Sequence, residues 1–331
     1  MPLAEAAVAR FRAHLLTLTG PVDGRLVALA VSGGADSMAM LALAVAALPG
    51  QVMAATVDHG LRADSAREAA MVAGWCAGAG VPHATLTITE PRAAGDNLHD
   101  WARRERYRLL SHWGLAAGAH LLATAHHADD QAETFLMRAA RGSGVAGLAG
   151  IRATQPLGES MITLVRPLLG WRRAELRAVA LAAGLPFVDD PSNSDHRFDR
   201  ARFRTLIEQT PLLDAAQLAR AAGHAAEADA TLRAIEDRLW AQRAVYDEAD
   251  RAVRLDIADL PRELKRRLAR RTIHSVRAAH GIAQPDFTDA ENIEPLLDAL
   301  DASKAATHAG IKARSDGTAW HFSPAPPRRS R

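Results

Sequence analysis

Over the first 190 residues, short apolar runs of β type alternate with longer alanine-rich stretches of helical periodicity. The runs Leu26 to Val31, Val52 to Val57, Ala84 to Ile88, His120 to Ala125 and Ile162 to Val165 predict strands, with helices between the first four. Strands alternating with helices predict an α/β fold, a parallel sheet with helices on both faces in a Rossmann-like arrangement. From about Thr210 the pattern turns to alanine-rich helix without strand signal, from Leu212 through Trp240, and a mostly helical second domain follows. The expected organisation is a first domain over 1–210, a helical connector over 211–250 and a C-terminal helical domain over 251–331.

Composition narrows the class. A chain of 331 residues with 48% hydrophobic residues can bury a large core and is long enough for about two domains. The single cysteine, Cys76, excludes an internal disulfide framework and any Cys-x-x-Cys pair. Apolar stretches are interrupted within about ten residues and no cleavable signal pattern opens the chain, so neither membrane nor secretion is expected, and the cytoplasm is the expected location. Net charge is only +2, so the distribution of charge says more than its total.

In parallel sheets ligands sit outside the carboxyl ends of the strands. Ser32 to Ser37 follow the first expected strand, Asp58-His59-Gly60 the second and His126-His127 the fourth. In Ser32-Gly33-Gly34-Ala35-Asp36-Ser37, two glycines admit an anion close to the backbone, two serines offer hydroxyls and a helix N-terminus follows. The segment predicts a nucleotide-phosphate site. Asp36 would repel phosphates unless a cation such as Mg²⁺ lay between them, and a purely structural Gly-Gly turn is the alternative. Neither a Gly-x-x-x-x-Gly-Lys-Ser/Thr loop nor a Gly-x-Gly-x-x-Gly loop is present, which disfavours γ-phosphate chemistry and dinucleotide binding.

The densest chemical cluster is His126-His127-Ala128-Asp129-Asp130-Gln131-Ala132-Glu133-Thr134. Asp130 and Glu133 are three apart and share a helix face. Asp129 could be the helix cap, and acidic residues in a first turn favour the dipole without further function. Together His126, Asp130 and Glu133 could hold a cation, either Mg²⁺ or the ammonium of an amine substrate. Later, Arg262, Lys265, Arg266, Arg267, Arg270 and Arg271 crowd one expected helix in which only Glu263 is acidic, and Leu260, Leu264 and Leu268 form its apolar face. Phosphate-backbone binding is set there against an ordinary solvated face. The terminal Pro-Pro-Arg-Arg-Ser-Arg is expected to add nonspecific affinity for nucleic acid.

The Ser32 to Ser37 loop resembles the Ser-Gly-Gly-x-Asp-Ser PP-loop of the ATP pyrophosphatase superfamily, whose members cleave ATP between the α- and β-phosphates. The His126 to Thr134 cluster resembles the tRNA(Ile)-lysidine synthetase family of PP-loop ligases. So do Val57-Asp58-His59-Gly60-Leu61-Arg62, Asn97-Leu98 with Ala102-Arg103-x-x-Arg106-Tyr107, and Arg141-Gly142-Ser143-Gly144. Arg166-Pro167-Leu168-Leu169 and Asp189-Asp190-Pro191-Ser192-Asn193 complete the match, which runs from about residue 25 to 205.

The resemblance implies that ATP adenylates the C2 oxygen of the wobble cytidine in tRNA(Ile) with a CAU anticodon, and that free L-lysine displaces AMP. It implies ATP binding by Ser32, Gly33, Gly34, Asp36, Ser37, Asp58, His59, Arg62, Gly142 and Gly144, with Mg²⁺ on Asp36. It implies a catalytic set of Asp36, His126, Asp130, Glu133, Arg103 and Arg106, with Asp130 and Glu133 recognising lysine. Arg200 and Arg204 would contact tRNA or the intermediate, and Arg262, Lys265, Arg266 and Arg270 are the expected tRNA contacts of the second domain. One departure is Ala201, which stands where the family pattern has asparagine. A homodimer is one possible assembly. Thiolation is disfavoured by the lone cysteine, and no room precedes residue 25 for a glutaminase domain. A nucleotide-binding sensor without catalysis would have no use for the His126 to Glu133 cluster.

Overall fold

The computed structural model describes the chain apart from residues 1–2, 23, 61–64, 94, 159–160, 190–198, 248–250, 290 and 327–331 and the side chain at 99. The chain divides into two units, Met1–Glu227 and Ala228–Arg331, a division bracketed by the boundaries at 210 and 250 expected from sequence.

The first unit runs α1 (Glu5–Thr19), β1 (Val27–Ala30), α2 (Ala35–Ala47), β2 (Val52–Asp58), α3 (Ser65–Gly78), β3 (His83–Thr87), α4 (Leu98–Ala116), β4 (Leu121–Ala123), α5 (Ala128–Ala140), α6 (Val145–Leu148), β5 (Thr154–Pro156), β6 (Thr163–Val165), α7 (Arg173–Ala182) and α8 (Asp199–Gln209). The long α9 (Ala215–Arg243) contains the division. The strands form one sheet in the order β3-β2-β1-β4-β6-β5, parallel except for β5. The expected α/β architecture is present.

Burial explains the arrangement. Val27 and Leu29 of β1 pack with Phe11 and Leu15 of α1 and Met38 and Leu41 of α2, whereas Ala28 faces Leu110 of α4 with Met53 and Leu122. Both faces of the sheet are therefore apolar, as parallel strands covered by helices require. The sequence reading has no counterpart for β5, because this three-residue edge strand is exposed throughout and carries no apolar run.

In the second unit β7 (Ala244–Asp247), β8 (Ala252–Asp256), α10 (Arg262–Ala279), α11 (Glu294–Asp301), β9 (Ala306–His308), β10 (Ile311–Ser315) and β11 (Ala319–Pro324) follow the end of α9. Its five strands pair antiparallel in the order β7-β8-β11-β10-β9. This sheet is absent from the sequence reading, which expected a mostly helical domain and named no strand here. Its strands alternate, as in β10 with Ile311 and Ala313 buried and Lys312 and Arg314 exposed, but they are short and rich in charge. Trp320 and Phe322 pack against Leu268, Ile273 and Val276 of α10 and Leu297 and Leu300 of α11. The buried face of α10 is thus centred on Leu268, Thr272 and Val276, and Leu260 precedes the helix.

Candidate active site

The loop between β1 and α2 is built around Gly33, whose φ of +87° lies in the left-handed region, and a Cβ there would sit 3.3 Å from Met71 Cε. Ser37 Oγ donates to Gly34 O at 3.0 Å and accepts from Ser32 N at 3.2 Å, closing the loop on itself. The N-cap of α2 is Gly34, and no side chain caps the helix. Its first-turn N–H groups therefore present a positive helix end to the cleft. Val188 N donates to Gly33 O at 3.0 Å, which fastens the segment after α7 to the same loop.

On the neighbouring strand, the chain leaves β4 as Thr124 to His127 and enters α5. His127 is the N-cap: its side chain accepts from Asp130 N, while His127 N donates to Asp130 Oδ2 at 3.1 Å, a reciprocal capping box. The cap expected at Asp129 is corrected accordingly. Asp129 instead accepts from Arg173 N at 2.8 Å and from the Arg172 guanidinium, docking the start of α7. His127 is 2% exposed, and its Nε2 lies 3.4 Å from Asp36 Oδ2. Burial disfavours the imidazolium, but the Asp36 hydrogen bond and the charges of Asp130 and Asp36 outweigh it and raise the pKa. His126 behaves oppositely. Burial pulls it down to about 4 against the charge of Asp130, and its Nδ1 meets Thr124 Oγ1 at 2.9 Å. Burial also works against the Asp130 carboxylate, yet His127, His126 and Arg200 keep it below the ordinary carboxylate value.

Glu133 is 1% exposed and is surrounded by arginines. Arg204 Nε donates at 2.7 Å, Arg200 Nε lies at 3.4 Å and Arg173 Nη2 at 3.7 Å. Arg200 also donates to Thr134 Oγ1 at 3.1 Å. On the other flank, Asp58 accepts from Ser65 Oγ at 2.6 Å and from Gly60 N at 2.8 Å, and these bonds lower its pKa. Arg106 Nη2 meets His59 Nε2 at 2.8 Å, and the Arg103 guanidinium stands 5.1 Å from the centre of the Tyr107 ring.

One cleft of about 1080 Å³ brings together Ser32, Gly34, Asp36 and Ser37 with His59, Arg103, Arg106, His126, Asp130, Arg200 and Arg204. Glu133 does not line it; its carboxylate is bonded to Arg204, which does. Asp58 is not among the lining residues either and holds the turn at Gly60.

Residues 8–210 match the family model of the PP-loop domain. A tRNA(Ile)-lysidine synthase of Novosphingobium aromaticivorans is 44% identical over 325 residues, which cover 98% of this chain and 95% of that protein. The chain belongs to the tRNA(Ile)-lysidine synthase family. A second member, from Zymomonas mobilis, is 39% identical over 318 residues, covering 94% of this chain and 92% of that one. Among solved structures, the U34-tRNA thiolase NcsA from Methanococcus maripaludis superimposes with a TM-score of 0.55 at 17% identity, covering 67% of this chain and 80% of that chain. That likeness is one of fold.

Within this lysidine synthase family member, several expected site residues fall elsewhere. Gly142 and Gly144 lie past the far end of α5 and do not line the cleft, since a 13-residue helix carries the chain roughly 20 Å from its N-cap. Arg62 and the motif residues 190–193 lie outside the described residues. The basic surplus on α10 is local to that helix. Arg262 pairs with Glu294, Asp298 and Asp301, Lys265 with Asp301, and Arg266 with Glu263 and Glu294. Arg270 donates to the backbone carbonyls of Thr288 and Glu291. The acids are supplied by α11, some thirty residues on in sequence, so a window confined to one helix could not see them.

Among the described residues no group of three or more His, Cys, Asp or Glu is placed to hold a metal, and Glu133, bonded to Arg204, does not line the cleft with His126 and Asp130. Asp36 differs, because its Oδ1 is buried without a hydrogen-bond partner. A lone carboxylate of this kind suits Mg²⁺, which takes most of its ligands from phosphates and water. The structure adds Tyr107, Thr124, Arg173 and Arg177 to the cleft wall. Arg173 and Arg177 are four apart on α7, but nothing in their spacing separates them from a solvated face.

Proposed function

We propose that this protein forms lysidine in tRNA(Ile), joining free lysine to the wobble cytidine of the CAU anticodon at the expense of ATP. The reading is carried by one cleft that joins an uncapped helix N-terminus behind Ser32 to Ser37 with the His126 and Asp130 end of α5. The full-length similarity to named tRNA(Ile)-lysidine synthases supports it.

In this scheme the N–H groups opening α2 and the hydroxyls of Ser32 and Ser37 hold the phosphates of ATP, and His59 lies toward its nucleoside. Asp36 would hold Mg²⁺, whose role is to neutralise charge on the phosphates. The cytidine O2 attacks the α-phosphorus and pyrophosphate leaves; the lysine ε-nitrogen then bonds to C2, the C2–O bond breaks, and AMP leaves. Asp130 is the one carboxylate of the expected pair that lines the cleft; in this scheme it receives the lysine ammonium, which gives up a proton before its nitrogen attacks C2. Glu133 serves by holding Arg204 and Arg200 at the wall, where their charge faces the tRNA backbone. His126, neutral near pH 7, orients without adding charge. Arg103 and Arg106 supply further cations at the mouth.

Thiolation on the same fold finds no support, because Cys76 is fully buried and burial pushes its thiol up to about 11. Incubation with ATP, labelled lysine and an unmodified tRNA(Ile) transcript tests the proposal. Label enters the tRNA only when ATP is present; a folded, ATP-binding protein that transfers none refutes it.

A further inference from the structure

The antiparallel sheet of the second unit has one buried face and one open face. Val253, Leu255, Trp320 and Phe322 point into the core with α10 and α11, so the residues alternating with them point away. The pairing register lines up those outward residues. Arg254 of β8 stands opposite His321 of β11, and His321 stands opposite Arg314 of β10. Lys312, two residues before Arg314 on the same face, lies between Ser323 and Thr307. Arg254, Lys312 and Arg314 are exposed, and among the described residues none of their side chains enters an ion pair. The acids near this face stand at its margins. Asp316 accepts from Ala319 N and meets His321 Nε2, each at 2.8 Å. Asp256 accepts from Ala258 N at 3.0 Å and lies 3.9 Å from Arg243 Nη1. Asp247 closes the edge strand β7, opposite Ala252.

Three like charges on one face repel one another, and an anion laid across them relieves that repulsion. Strand spacing puts Arg254 and Arg314 about 10 Å apart, with Lys312 about 7 Å from Arg314 along β10. In this the face differs from α10, whose Arg262 and Arg266 are answered by Glu263, Glu294, Asp298 and Asp301. It also offers no platform for unpaired bases, because the rings of the central strand β11, Trp320 and Phe322, are turned into the core. A flat cationic face flanked by the hydroxyls of Ser323 and Thr307 suits the backbone of a paired RNA stem, which is met through phosphates and 2′-hydroxyls rather than base edges.

We infer that the open face of this sheet, through Arg254, Lys312 and Arg314, binds the phosphate backbone of a helical stem of the substrate tRNA. This rests on the proposed lysidine-forming activity. It deepens that reading by moving the tRNA contacts expected of the second unit from α10 to the sheet.

The test measures binding of full-length tRNA(Ile) transcript to the full chain, without ATP or lysine, from about 50 to 400 mM salt. Each phosphate contact to a duplex adds roughly 0.9 to the slope of log K against log salt. The triple variant Arg254→Gln, Lys312→Gln, Arg314→Gln should bind the tRNA roughly tenfold more weakly near physiological salt and lose about 2 to 3 from that slope. Its Kd for ATP and its kcat at saturating tRNA stay at the wild-type values, while the KM for tRNA rises. Arg254→Lys with Arg314→Lys keeps the slope, since the phosphates read charge here and not shape. If the triple variant does not fold, Arg314→Gln alone decides, with a slope smaller by about 0.9. Unchanged affinity and slope overturn the inference. So does undiminished tRNA binding with lost binding to phosphatidylglycerol vesicles, which would make the face a membrane surface. Wild-type protein that binds the tRNA with the steep slope but makes no lysidine refutes the proposed function instead, since this binding needs neither ATP nor lysine.

Discussion

The Nε2 of His127 lies 3.4 Å from Asp36 Oδ2, so the residue that caps α5 also grips the carboxylate in the first turn of α2. The cap takes Nδ1 as acceptor, which places the proton on Nε2, facing Asp36. One carboxylate oxygen is thereby occupied and the other, buried and without a partner, is left for the ligand.

His127→Asn should separate the two duties. Asparagine is a good N-cap, so the Tm stays close to that of wild type, whereas His127→Ala loses about 1 kcal/mol. Both variants lose the grip on Asp36 and should lower kcat for lysidine formation at least tenfold. Wild-type turnover in His127→Asn would show that Asp36 needs no such support.

Arg204→Ala should destabilise the protein by about 3 kcal/mol in urea denaturation, since it strips the nearest cation from Glu133, which is 1% exposed. Arg200 and Arg173, at 3.4 and 3.7 Å, remain to limit the loss. Glu133→Gln should be milder, because Arg204 can turn its charge toward the cleft. Equal stability of wild type and Arg204→Ala would mean that water already reaches the carboxylate.

How much of this was legible in the sequence depends on how local each signal is. The loop Ser32 to Ser37 and the cluster at His126 are contiguous strings at strand ends, so pattern alone located them. The duties of His127, Asp129 and Glu133 were not legible, because each is set by residues 43 to 91 positions away, such as Asp36, Arg172 and Arg204. The same limit governs α10, where Glu294 and Asp301 of α11 answer the cations. The antiparallel sheet of the second unit escaped because its strands are short and their outward faces are charged.

Acid should destabilise the folded protein through His126. Its folded value of about 4 lies below the ordinary histidine value of 6.5, so between these the unfolded chain binds a proton that the buried ring refuses. Stability is therefore full above about pH 6.5 and falls as pH drops toward 4. His126→Gln should flatten that part of the curve in thermal melts from pH 7.0 to 4.5, while the contribution of His83, also lowered by burial, persists in both proteins. Parallel curves would show that His126 is hydrated.

Arg266→Glu should lower the Tm of the second unit, because Arg266 and then Arg262 hold Glu294 down to about 2. This stabilisation is present above about pH 4.5 and lost as pH falls toward 2. The groups are partly exposed, so each pair contributes about 1 kcal/mol or less and weakens with salt. An unchanged Tm with weakened tRNA binding would instead make this helix an unpaired phosphate-binding face.

Nucleoside mass spectrometry of tRNA(Ile) transcript after incubation with the protein, ATP and lysine, with AMP measured alongside, is the most direct measurement. The expected result is one cytidine converted to lysidine per tRNA, AMP formed in equal amount, and both lost in Asp36→Ala protein that remains folded. ADP in place of AMP, or AMP without a modified cytidine, would contradict the proposed reaction.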